Sequence, residues 1–160
     1  MLNAKTTKNF TWEVTLTSAD GAGMPGIVIH NGTSYIYIQV ESWRNHGKNI
    51  VVGVTTGATN DDVYNTSGAG NTNTLNSLTY KVVRTQDSIT LYASGAEIMT
   101  FTKDGYTFVE GVEKVGDTNY AAHQTQLATF FGENMEMAVG FGSNSCDKTY
   151  TCTSTITINE

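Results

Sequence analysis

Phe10-Thr-Trp-Glu-Val-Thr-Leu-Thr17 alternates without a break: Phe10, Trp12, Val14 and Leu16 fall on one side, Thr and Glu on the other. A period of two marks a strand with one face in a core and one toward water. The rhythm returns at residues 26–30, 33–41, 49–55, 78–84, 88–93, 97–102, 135–141 and 149–158. Turn residues punctuate it: Gly21, Gly23 and Pro25, then Asn31-Gly32, a strong short-range hairpin signal, then Ser94-Gly95. About nine strands with no alternating helices predict an all-β fold, an antiparallel two-sheet β-sandwich rather than a parallel sheet.

Two stretches break the rhythm. Residues 56–77 are polar and rich in Gly, Asn and Thr, too long for an ordinary connection, which marks them as functional or mobile. Residues 119–131 read as a short helix capped by Asn119 and ended by Gly132, or equally as an irregular loop. No boundary or internal repeat divides the 160 residues, so a single domain is expected over 1–160.

Composition agrees with a β-rich chain. There are 26 Thr, 14 Asn and 16 Gly, against 15% charged residues. Branched Thr suits a pleated surface, while Asn and Gly suit turns. The net charge of −6 and nine scattered basic residues give no patch for phosphates, which excludes nucleic acid and an anionic membrane surface as partners. No apolar run of about 20 residues is present, so no membrane insertion is expected. Met1 to Lys5 leads straight into polar sequence and is no signal peptide; the expectation is a domain of a larger secreted or surface protein, with other domains beside it. Cys146 and Cys152 are spaced to bridge a tight hairpin, slightly favoured over two free thiols, and a disulfide would agree with an extracellular setting.

A family resemblance arises at Tyr80-Lys-Val-Val-Arg84, Ile89-Thr-Leu-Tyr92, the Ser94-Gly95 turn and Ile98-Met-Thr-Phe101. This order resembles the central hairpins of concanavalin A-like and laminin-G-like domains. The closing segment, Val139-Gly-Phe-Gly142 followed by Thr153-Ser-Thr-Ile-Thr-Ile158, is similar to that family's ending, where a late strand returns beside the first. The resemblance implies a jelly roll of two curved sheets, often with a glycan site on one face or its rim loops, and often a structural calcium. It carries no particular binding residue across.

The residues themselves nominate a site at 35–41. Ile36, Ile38 and Val40 share one face, while Tyr35, Tyr37, Gln39 and Glu41 share the other, and Trp43 continues that parity. Sugar rings stack their C–H faces on aromatics, and their hydroxyls need donors and acceptors held around that platform. Arg44, Asn45 and His46 follow as polar contacts, and the 56–77 loop adds Asn60, Asp62 and Tyr64, the last as a second platform. The bland reading is a solvent-facing strand whose aromatics stabilise the sheet. Asn60-Asp61-Asp62 also has the oxygen ligands that Ca²⁺ takes, though without the spacing of an EF-hand. Trp12 shares its face with Phe10 and Leu16 and is read as core.

Catalytic signatures are not found. Glu133 and Glu136 would face opposite ways on a strand, and no nucleophile elbow or His-paired Cys motif occurs. His30, His46 and His123 sit in unrelated segments, which leaves a zinc hydrolase unsupported. The expectation is a non-catalytic module that binds an oligo- or polysaccharide, with no cofactor required and a structural calcium as an option. A laminin-G-like protein-binding adhesion module is the alternative, and a glycoside hydrolase domain stands third.

Overall fold

The opening alternation becomes β1 (Asn9–Ser18), and its apolar row of Phe10, Trp12, Val14 and Leu16 is buried. The structure is a computed structural model that describes residues 6–18, 25–41, 49–55, 62–65, 77–109, 125–131, 138–143 and 149–159. Ten more strands follow: β2 (Pro25–His30), β3 (Tyr35–Glu41), β4 (Asn49–Thr55), β5 (Asp62–Asn65) and β6 (Ser77–Arg84), then β7 (Ile89–Ala93), β8 (Ala96–Thr102), β9 (Gly105–Phe108), β10 (Ala138–Ser143) and β11 (Tyr150–Asn159). They form two antiparallel sheets, ordered β11-β1-β6-β7-β8-β9 and β10-β2-β3-β4-β5. The chain leaves the first sheet after β1, builds four strands of the second, returns for β6 to β9, crosses for β10 and ends against β1. This is an antiparallel two-sheet β-sandwich, as the alternation predicts.

Alternation explains the core. Ile27, Ile29, Ile36, Ile38, Val52 and Val54 come from one sheet, and Trp12, Tyr80, Val82, Leu91, Met99 and Phe101 from the other. Their outward neighbours are mostly Thr, Lys and Tyr. Hydroxyl pairs tie that outer surface of the six-stranded sheet together, Thr15 to Thr79 at 2.8 Å and Thr90 to Thr100 at 3.0 Å. The Lys81 ammonium lies 4.3 Å from the centroid of the Tyr92 ring on the next strand. Leu127 and Phe130 enter the core from residues 125–131, where only 125–128 are helical.

Three expectations change in detail. The 119–131 segment keeps one helical turn; 119–124 lie outside the described residues. The 56–77 stretch is not purely a loop, because β5 lies inside it. β9 was also not foreseen. Both strands have four residues, too few for a period of two to stand out beside Gly, Asn and Asp.

The β2–β3 turn holds the site strand in place. Asn31 Oδ1 accepts the backbone N–H groups of Thr33 (3.0 Å) and Ser34 (2.8 Å), and Gly32 takes the left-handed φ of 97° that this turn needs. Asn31 Nδ2 donates to Thr129 Oγ1 at 2.8 Å, fastening the turn to the segment that supplies Phe130. Asn31→Ala removes these bonds at a half-buried position. It is expected to lower stability by about 1–3 kcal/mol, measured by urea unfolding. A change within roughly 0.3 kcal/mol would show that solvent replaces the bonds freely.

Candidate functional site

The pairing registers define the outer face of the five-stranded sheet row by row. One row runs Ala138, His30, Tyr35, Thr55. The next runs Gly140, Val28, Tyr37, Gly53, Asp62. The third runs Gly142, Gly26, Gln39, Val51, Asn65. Their inward neighbours on β3, Ile36 and Ile38, are buried, so the two tyrosines stand on the opposite surface and are half-buried there. The expected alternation along β3 is therefore what the strand adopts.

Two features of these rows matter chemically. Tyr35 stacks on His30 of the neighbouring strand, ring centroids 5.5 Å apart and planes at 28°, which fixes its ring as a flat, broadened platform. Tyr37 lies one step along, about 6.7 Å away by strand rise. In its row Tyr37 stands between Val28 and Gly53, and Asp62 ends that row two strands or about 10 Å from Tyr37.

Of the nine nominated residues, Tyr35, Tyr37 and Gln39 share β3 and one face, and Asp62 joins the Tyr37 row through β4. Tyr64 pairs with Val52, which places it in another row than Tyr37. A bulge between Val52 and Gly53 brings Asp62 rather than Val63 opposite Gly53. Trp43, Arg44, His46 and Asn60 lie outside the described residues, as do Asn45 and Asp61. Sequence reasoning missed His30, which was weighed only as a zinc ligand.

Other chemistry is sparse. Among the described residues no three of His, Cys, Asp and Glu gather as a group that could hold a metal ion, and no helix is long and apolar enough to cross a membrane. Cys152 is an exposed free thiol whose pKa is raised by partial burial; its expected bridging partner Cys146 lies outside the described residues. Arg84 is buried at the end of β6, where it donates to the carbonyl of Thr7, and burial lowers its pKa.

The strands form an antiparallel two-sheet β-sandwich whose five-stranded sheet carries Tyr35 and Tyr37 on its outer face. No protein-family model matches the chain, and no curated protein matches it by sequence. Solved structures do. A tetrameric galectin from the ball sponge Cinachyrella sp. is 12% identical, with 98% of this chain and 95% of that one covered and a TM-score of 0.49. A mutant of the GH43 protein BlXynB from Bacillus licheniformis is 16% identical, with 95% of this chain but 28% of that one covered and a TM-score of 0.51. Sheep galectin-11, in complex with glycerol, is 7% identical, with 96% and 93% covered and a TM-score of 0.47. At such identities the likeness is one of fold.

Proposed function

We propose that the chain is a non-catalytic carbohydrate-binding module that holds a glycan on the outer face of the five-stranded sheet. One observation carries the reading: Tyr35 stacked on His30, with Tyr37 one step along the same strand face, is a platform on which sugar rings can lie flat. Stacking supplies affinity with little ordering cost, since a tyrosine has only two side-chain torsions to fix. Gln39, Asp62 and the segment bearing Trp43, Arg44, His46 and Asn60 would supply hydrogen bonds around the platform. The small net negative charge and sparse basic residues favour a neutral glycan over a polyanionic one. A glycan held by rings and hydrogen bonds needs no bridging metal, so any calcium would support the loops and not the contact. The GH43 protein, of which this chain matches just over a quarter, motivates placement as one module of a larger secreted or surface chain.

A glycan array tests the reading. Binding to one class of neutral glycan is expected, with the same pattern in excess chelator. Silence across a broad array would favour the protein-binding adhesion alternative, and loss of binding on chelation would make the metal part of the contact. Turnover of a bound glycan would return the chain to the hydrolases.

A further inference from the structure

We infer that His30 makes the glycan site pH-sensitive: the platform holds a neutral glycan while the imidazole is neutral and releases it as the imidazole takes up a proton. The inference rests on the site proposed above and adds its regulation. His30 ends β2 and stands directly opposite Tyr35 in the register, half-buried on the same outer face. Their rings stack with centroids 5.5 Å apart and planes at 28°. Imidazole and phenol ring therefore form one surface, and a sugar laid against Tyr35 also borders His30.

Histidine is the side chain that ordinarily changes charge roughly between pH 5 and 8. Its two forms suit a sugar differently. Neutral imidazole offers one N–H donor, one nitrogen acceptor and an apolar ring face, a match for hydroxyls that both give and take hydrogen bonds. Protonated imidazole has two donors, no acceptor and a charge to keep hydrated. A sugar ring against it strips that water and returns no counter-charge. The cation also draws on the Tyr35 ring, whose electron-rich face is what sugar C–H groups seek. In the free protein that same contact favours the proton, so these effects act in one direction. Glycan selects the neutral form, and by reciprocity the proton weakens the glycan.

Other groups are poorly placed to produce this effect. Among the described residues Tyr35 is the one titratable group that faces His30. Ala138 and Thr55 complete its row, and residues 31–34 and 125–131 hold no acid or base. Asp62 lies one row and three strands away, about 16 Å by strand rise and spacing, and Glu41 stands about 20 Å along β3. Carboxylates and phenols ordinarily titrate outside this window, near about 4 and about 10. The other two histidines, His46 and His123, lie outside the described residues, so the test is built to separate them from His30.

An array of neutral glycans, run at about pH 7.5 and about pH 5.5, should show the same glycans bound more weakly in acid. Titration with the strongest neutral oligosaccharide should give a Kd about fivefold or more higher at the lower pH, the size of ordinary coupling between linked sites. Calorimetry at about pH 6, in two buffers of different ionisation enthalpy, should show protons released on binding. His30→Phe keeps a ring against Tyr35 and removes the titration. Its Kd ratio between the two pH values should fall to near one and its proton release should vanish; the ratio is what is read, not either Kd. The complementary chain carrying His46→Gln and His123→Gln, with His30 as its sole histidine, should keep both the ratio and the release. Equal affinity at the two pH values, tighter binding in acid, or proton uptake overturns the inference and leaves the glycan site standing. So does a pH dependence that survives His30→Phe or disappears in the complementary chain. Silence at both pH values removes the site itself, and this inference with it.

Discussion

Trp12→Ala is expected to lower the free energy of unfolding by about 3–5 kcal/mol. Trp12 is fully buried, sits between Val82 and Ile156 in the sheet, and donates its indole N–H to Ser154 Oγ at 2.8 Å. Truncation opens a cavity in a close-packed interior and discards the link between β1 and β11. Trp12→Phe keeps most of the aromatic bulk and loses the hydrogen bond, so a cost nearer 1–2 kcal/mol is expected. Chemical denaturation of both variants separates packing from bonding. A Trp12→Ala chain within about 1 kcal/mol of the parent would mean that the sandwich collapses onto the space, contrary to a rigid core.

Tyr37→Ala is expected to weaken glycan binding by about 1–3 kcal/mol, tenfold to more than a hundredfold in Kd, while the fold survives. The side chain projects from the outer face and fills no core space, so stability should change little. Tyr37→Phe keeps the ring and is expected to retain most of the affinity, because stacking uses the face and not the hydroxyl. Calorimetry with the best ligand from the array decides both. If Tyr37→Ala binds like the parent, the outer-face site is wrong, whatever else the chain recognises.

Much of the architecture was legible because one property, strict alternation, both hides a side chain and reveals a strand. Ile27, Ile29, Ile36 and Ile38 are buried where their spacing put them, and the Ser94-Gly95 turn has the two positive φ values, 50° and 81°, of a tight hairpin. What failed was short or relational. Asp62–Asn65 pairs as a strand despite its polar character because β4 offers it a ladder, which the segment's own residues do not announce. The site was half legible for the same reason. Tyr35 and Tyr37 declare a common face within one strand, but the His30 stack depends on which strand lies alongside. The row of Asp62 was not legible either, because it depends on a bulge between Val52 and Gly53 that brings Asp62 opposite Gly53.

The partnership of β1 with β11 also governs when the protein can fold at all. Trp12 and Ser154 are separated by 142 positions, so β1 waits for β11. At about 5–20 residues per second, a ribosome needs roughly 7–28 s to make that span, during which β1 lacks its β11 flank. Contacts of this reach make folding slow, in the millisecond-to-second regime of all-β topologies. The nascent chain should therefore gain protease resistance late and abruptly, as residues 150–159 emerge, rather than in steps. A chain stopped before Tyr150 would leave the buried row of Phe10, Trp12, Val14 and Leu16 at an open sheet edge, which makes it a client for chaperones.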